Sequence, residues 1–128
     1  VGFSLLDYAN DADFSASRYF VTTIVSRVLN GNYGNHFLLN VNIPKLPLNK
    51  INGTKICKQA YAKYKESFLE RIDPHGRKYY WLTGEFVNYD TSEDTDEWAL
   101  NNGYVSIVPV QFDLTNYELK QQLITDWK

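Results

Sequence analysis

The sequence lacks methionine, has a single cysteine and two histidines, and contains no long apolar run. A lone cysteine, Cys57, cannot form a disulfide within the chain, which excludes a disulfide-stabilised secreted domain and favours a reduced, cytoplasmic protein. No apolar run approaches the ~18 residues of a membrane-spanning helix, and no amino-terminal stretch resembles a signal peptide. We therefore expect no membrane partner.

The missing methionine includes the first position, so the chain opens directly on the strand-like run Val1–Leu6. A strand with no preceding start or turn favours the downstream part of a longer protein. Removal of an initiator methionine is the alternative explanation.

Strong net charge is also absent, because the formal charge at pH 7 is only -2. This gives no global argument for nucleic-acid or membrane binding. The charges are unevenly placed, however, with nine basic and three acidic residues in Lys45–Lys78 and six acidic residues and no basic one in Glu85–Glu97. Such blocks are usually solvated faces. The alternative is that a segment of one protomer contacts the other protomer through them. Nucleic acid is not an expected partner.

The residues that are present predict a folded α/β chain, with 44% hydrophobic and 16% aromatic residues in 128. Residues 1–44 read as a βαβ unit with strands Val1–Leu6 and Phe37–Ile43. We expect the near-continuous apolar first strand to be covered on both faces. The helix between the strands has three candidate caps and a glycine stop: Asp11, Asp13, Ser15 and Asn30-Gly31.

Residues 53–84 predict an extended arm. Gly53–Ala60 reads as a strand, and residues 62–84 read as a long aromatic hairpin whose turn is Asp73-Pro74-His75-Gly76. A solitary hairpin is only marginally stable in water, so this one is predicted to pack on a partner chain. Glu85–Asp94 is predicted to be an acidic loop.

Residues 95–128 predict a helical turn, a strand and a C-terminal helix. Thr95 or Asp96 caps the turn, and Gly103 stops it. A buried strand of β-branched and aromatic residues follows. The amphipathic segment Asn116–Lys128 is short for an independent helix and needs a surface on which to dock.

Side chains that could carry chemistry are scattered and have simple structural explanations. The acidic groups precede helices, where aspartate is expected as a cap, and the glycine-rich loop follows a helix instead of leading into one. The two serines lie in strands without an adjacent base, and neither histidine has a metal-ligand spacing. The candidates are Ser4, Asp11, Asp13, Asn30–Asn35, His36, His75, Glu93–Glu97 and Ser106.

Four motifs occur in order along the chain. They are Phe3-Ser4-Leu5, then Leu38-Leu39-Asn40-Val41-Asn42-Ile43-Pro44, then Asp73-Pro74-x-Gly76-Arg77-x-Tyr79-Tyr80-Trp81, and finally Thr95-Asp96-x-x-Ala99-x-x-x-Gly103-Tyr104-Val105-Ser106-Ile107-x-Pro109 with Asp113-Leu114-Thr115. This set of motifs resembles the C-terminal half of the SurE survival-protein family, and the resemblance covers essentially all 128 residues. Two positions depart from it, Asp94 where the family usually has Gly and Val108 where it usually has Thr.

The resemblance implies a Rossmann-like α/β fold and a nucleotidase or phosphatase that hydrolyses nucleoside monophosphates with a divalent metal, Mn²⁺ or Mg²⁺. The metal ligands of the family lie in an Asp-Asp-Gly motif near the protein start, a later Ser, and an Asn in a Ser-Gly-x-Asn stretch. None of these motifs occurs in this sequence. No catalytic residue and no metal ligand is therefore expected in this segment.

The resemblance also implies assembly into a homodimer or homotetramer through exchanged hairpin and C-terminal segments. The alternative is a non-catalytic oligomerisation or regulatory module of the same family. The residues expected at the oligomer interface are Tyr64, Phe68, Tyr79, Tyr80, Trp81 and Trp127.

Overall fold

The computed structural model describes residues 1–34 and 37–127. In chain order the elements are β1 Gly2–Leu5, α1 Ser15–Asn30, β2 Leu38–Ile43, a 3₁₀ turn Leu48–Lys50, β3 Thr54–Ile56, β4 Ala62–Ile72, β5 Lys78–Asn88, α2 Asp96–Asn101, β6 Val105–Val110 and α3 Tyr117–Asp126. The main layer is a mixed four-stranded sheet of order β1-β2-β6-β3. β2 pairs in parallel with β1 and antiparallel with β6, and β3 pairs in parallel with β6. The chain therefore has the predicted α/β architecture.

Helix α1 packs on one face of this sheet. Its buried residues include Ala16, Phe20 and Ile24, which recur every four positions and so form one stripe. Apolar side chains alternate along β2 and β6 with the period of a strand, which brings them to the face under α1. The resulting core cluster is Phe20, Ile24, Val41, Ile43, Val105 and Ile107.

Helix α2 packs on the opposite face, where Ala99 contacts a second cluster with Cys57 and Val108. Thr95 is its cap: the Thr95 Oγ1 accepts the Trp98 N–H at 3.2 Å and donates to the Ser92 carbonyl at 2.9 Å. Of the two predicted caps, Thr95 therefore holds the position and Asp96 is the first helical residue. The turn ends at Gly103, whose φ of 74° favours glycine.

The start of α1 differs in detail from the prediction. The cap position is Phe14, which has no side-chain capping bond. Asp13 acts from one residue earlier, since its carboxylate accepts the Ser15 N–H at 2.8 Å and the Ser15 hydroxyl at 2.9 Å. The helix ends at Asn30, as predicted. Asn35 and His36 of the following loop lie outside the described residues, as does Lys128.

Three sequence-based expectations are corrected by non-local pairing. β1 is not covered on both faces, because it is an edge strand whose residues alternate between exposed and half-buried. β3 is limited to Thr54–Ile56 and does not extend from Gly53 to Ala60. Glu85–Asn88 is not a loop, because these residues pair with Ala62–Lys65 and extend β5.

The arm is a two-stranded hairpin in continuous antiparallel register from Ala62 opposite Asn88 to Ile72 opposite Lys78. Its turn is closed by Asp73, whose Oδ1 accepts the N–H groups of His75 at 2.8 Å and Arg77 at 2.9 Å. No residue of β4 or β5 is buried. The same holds for α3, in which Asn116 caps the first turn and no residue is buried.

Candidate functional site

The arm exposes large apolar side chains on both of its faces. Residues directly opposite each other in an antiparallel pair share a face, and so do residues two apart on one strand. The continuous register therefore sorts every side chain of β4 and β5 unambiguously. We call the two surfaces the Phe68 face and the Trp81 face, and define each below by its residues.

The Phe68 face is apolar and nearly neutral. Its few charges are Glu66, Glu70 and Lys78, and Glu70 is already paired, with Lys78 Nζ at 2.9 Å and the Tyr80 hydroxyl at 3.0 Å. Phe68 is 70% exposed. Its apolar members are Tyr64, Phe68, Ile72, Tyr80, Leu82 and Phe86.

The Trp81 face combines aromatic rings with positive charge. Three cations lie on it with one carboxylate, and none of the three cations has an ion pair within the described part of the chain. Two copies of this face would repel each other. Its aromatic and charged members are Tyr79, Trp81, Lys63, Lys65, Arg71 and Glu85.

The structure distributes the predicted interface residues over three surfaces. Tyr64, Phe68 and Tyr80 lie on the Phe68 face, and Tyr79 and Trp81 lie on the other face. Trp127 follows α3 and is 82% exposed. Their role at an interface stays a prediction, and a single flat contact cannot include all of them.

Tyr64 lies across the neighbouring strand. Its hydroxyl donates to the Gly84 carbonyl at 2.9 Å, and a Cβ placed on Gly84 would come within 2.4 Å of the Tyr64 ring. Gly84 is therefore the residue that lets this ring lie flat on β5.

Lys58 connects the two chain segments at the base of the arm, which are the residues just before β4 and just after β5. Its Nζ lies 3.3 Å from carboxylate oxygens of both Asp90 and Asp94. Hydrogen bonds to Asp94 and Asp90 raise the pKa of Lys58, and hydrogen bonds from Ser92 and then Lys58 lower the pKa of Asp90. The basic and acidic blocks of the sequence thus meet within one chain at this point.

Backbone bonds reinforce the same base. The Lys58 N–H donates to the Asp94 carbonyl at 2.9 Å, and the Ala60 N–H donates to Asp96 Oδ1 at 2.8 Å. The Tyr89 N–H donates to the Tyr61 carbonyl at 2.9 Å, and the two tyrosine rings lie 5.7 Å apart. The arm is therefore free along its length and attached where it leaves the sheet.

No metal-binding cluster forms among residues 1–34 and 37–127: nowhere in them do three or more His, Cys, Asp or Glu side chains converge. The residues present thus do not fit the divalent metal that the resemblance implies, and no catalytic step can be derived through them. Ser106 is fully buried without a hydrogen-bond partner, Ser4 is exposed, and burial raises the pKa of the Cys57 thiol. None of these is an activated nucleophile.

The sequence pattern described as "Survival protein SurE" matches residues 1–66, more than half of the chain. The chain belongs to the SurE family. It is 52% identical over all 128 residues to proteins named 5'-nucleotidase SurE from Cytophaga hutchinsonii and Flavobacterium johnsoniae. It spans about half the length of these relatives, 49% in both cases.

A solved SurE structure has the same fold. The crystal structure of the SurE protein from Aquifex aeolicus aligns with a TM-score of 0.76 at 35% sequence identity, and the match covers 99% of this chain and 51% of that one. The predicted SurE-like, Rossmann-like α/β fold is therefore confirmed. Among the described residues, no helix is both long and apolar enough to span a membrane.

Three long-range ion pairs at two places were not predicted from the sequence: Lys58 with Asp90 and with Asp94, and Lys45 with Asp7 at 3.0 Å. The opposite charge blocks are a signal for the pairs of Lys58, although the sequence alone predicts only solvated faces or a contact between protomers from such blocks. Nothing local in the sequence points to the pair of Lys45 with Asp7, because 38 positions separate its members.

Proposed function

We propose that this chain is the C-terminal part of a 5'-nucleotidase that hydrolyses nucleoside monophosphates. The observation that supports this most strongly is the match over the full 128 residues, at 52% identity, to two proteins named 5'-nucleotidase SurE. The reaction is a phosphomonoester hydrolysis that releases a nucleoside and inorganic phosphate. A reducing, cytoplasmic location is part of the proposal, since the only cysteine is buried and unpaired.

The proposal includes a divalent metal, Mn²⁺ or Mg²⁺, bound by residues outside these 128. In such sites the metal polarises the phosphoryl oxygens and lowers the pKa of a bound water. The described residues offer no cluster that could do this. We therefore assign to this chain the support of the fold, one edge of the substrate site and the contacts between subunits.

The test compares the complete gene product with this chain alone. The complete protein should release phosphate from AMP with Mn²⁺ or Mg²⁺ and should lose that activity with EDTA. The 128-residue chain should release none under the same conditions. Absence of release from the complete protein would overturn the nucleotidase proposal, and metal-stimulated release from the isolated chain would overturn the placement of the metal site.

A second proposed function is assembly, which the same chain would serve whether or not it is catalytic. The Phe68 face supports it, because six large apolar side chains there are exposed, all of them more than half. Continuous exposed apolar patches of this kind mark interaction sites. We propose that two copies of the chain meet through this face to form a homodimer, with a homotetramer as the next assembly step.

A further inference from the structure

The carboxyl ends of β1 and β2 lie side by side at one edge of the sheet. Leu5 is paired with Ile43, and the Leu6 N–H donates to the Ile43 carbonyl at 2.9 Å, so the pairing continues to the end of both strands. β6 and β3 run in the opposite direction, so their carboxyl ends lie at the other edge. The second residue beyond each parallel strand is charged: Asp7 after β1 and Lys45 after β2.

These two residues form an ion pair with unequal exposure. Lys45 Nζ lies 3.0 Å from Asp7 Oδ1, and the same oxygen accepts the Ala9 N–H at 3.1 Å. The Asp7 side chain is 9% exposed and the Lys45 side chain is 65% exposed. Asp7 is thus held by its own loop, whereas the ammonium uses one of its three donors on Asp7 and keeps the others for another acceptor.

Open α/β sheets bind ligands in the crevice outside the carboxyl ends of their parallel strands. Lysine is a common point-charge ligand for phosphate. We propose that Lys45, positioned by Asp7, binds the phosphate group of the nucleoside monophosphate. This inference rests on the nucleotidase function proposed above and adds a substrate-binding residue to a chain in which no catalytic group was expected.

The other charges of this edge do not replace Lys45. Asp13 is committed to the Ser15 N–H and hydroxyl at the start of α1, and Asp11 in the same loop is exposed and would repel a phosphate. The competing explanation is that the pair only ties the β1–α1 loop to the segment after β2. A purely structural tie would affect stability, whereas a phosphate contact would affect substrate affinity.

The experiment uses the complete protein and AMP as the probe. Lys45→Gln should raise both the KM for AMP and the Kd for AMP of the metal-free protein about tenfold, with kcat changed less than about twofold, as expected for loss of one charge-assisted contact. Lys45→Arg should restore most of the affinity. Lys50→Gln, in the same β2–β3 connection, is the matched control and should leave both constants unchanged.

The Kd, measured by equilibrium dialysis, separates failure of this inference from failure of the proposed function. If the complete protein binds AMP but releases no phosphate, the nucleotidase proposal fails while the Kd of Lys45→Gln still decides the role of Lys45. If Lys45→Gln matches Lys50→Gln in KM and Kd, the phosphate contact is wrong. If the unmodified protein neither binds nor hydrolyses AMP, both proposals are wrong.

Discussion

The sheet and the arm of this chain use similar residues in opposite ways. In the sheet, alternating side chains of β2 and β6 are buried under α1, and Val41 and Val105 have no exposed surface. In the arm, successive side chains of β4 and β5 also point to opposite faces, but both faces carry apolar residues and no side chain is buried. The sheet is therefore stabilised by burial of apolar side chains within the chain. The arm is stabilised by its backbone hydrogen bonds, by the contacts at its base and by any partner surface that packs on it.

Ile43→Ala tests this difference with the largest expected effect. Ile43 is 1% exposed in the core cluster, so the substitution should lower the free energy of unfolding by about 2–5 kcal/mol. Phe68→Ala removes more apolar volume but from an exposed site, and should change the stability of the monomer by no more than about 0.5 kcal/mol. Chemical denaturation measures both. Equal losses would show that the arm is packed within the chain.

Substitutions on the two faces of the arm test the contact between copies. Phe68→Ser should weaken self-association by about thirtyfold, equivalent to the ~2 kcal/mol typical of a buried interface anchor. Trp81→Ser is the matched control on the opposite face, where three cations oppose contact with a second copy. Sedimentation equilibrium measures both dissociation constants. A larger loss from Trp81→Ser than from Phe68→Ser would reverse the assignment of the faces.

A smaller, pH-dependent effect is expected at the base of the arm. Because the pKa of Asp90 is lowered from 3.8, its contribution is present above that value and is lost as pH falls through the lowered pKa. Because the pKa of Lys58 is raised from 10.5, its contribution is present below that value and is lost as pH rises through the raised pKa. The base should be most tightly held between these limits.

Hydrogen exchange of the Tyr89 amide reports on this base. After correction for intrinsic exchange rates, the protection of this amide should decrease as the pH drops below 3.8, before that of the Val41 amide in the sheet decreases. Lys58→Met should lower the Tyr89 protection already at pH 7 and flatten the acid dependence. Lys65→Met is the matched control, because Lys65 has neither an ion pair nor a cation–π contact among the described residues. If the pH dependence of Tyr89 protection were the same in Lys58→Met as in the unmodified protein, the ion pairs of Lys58 would not hold the base of the arm.

Patterns with a clear period were sufficient to predict much of this fold. The apolar stripe of α1 and the glycine after it predict correctly that the helix ends at Asn30. The turn sequence at Asp73–Gly76 predicts correctly where the hairpin reverses direction. The strand ends that were predicted wrongly depend on hydrogen bonds with residues distant in the sequence. β3 ends after Ile56, beyond which the Lys58 N–H bonds with the loop at Asp94, and β5 extends because Glu85–Asn88 find partners in β4.

The candidate site was less predictable than the fold. Tyr79, Tyr80 and Trp81 are consecutive in a strand, so they could not all share one face, and the period of two was already visible in the sequence. The pair Asp7–Lys45 could not be found in this way, because only the parallel register of β1 and β2 brings its members together. Local propensity carries no information about such a contact.

The position of β6 has a consequence for how the chain folds. Of the strands described, β6 comes latest in the chain, yet it lies between β2 and β3 and pairs with both. The four-stranded sheet thus stays incomplete until β6 is available, and the whole arm must form a loop before β3 and β6 can pair. Loop closure costs more entropy for longer loops. If the hairpin forms early and pairs Ala62 with Asn88, the loop between β3 and β6 becomes effectively shorter, and the sheet should be completed faster.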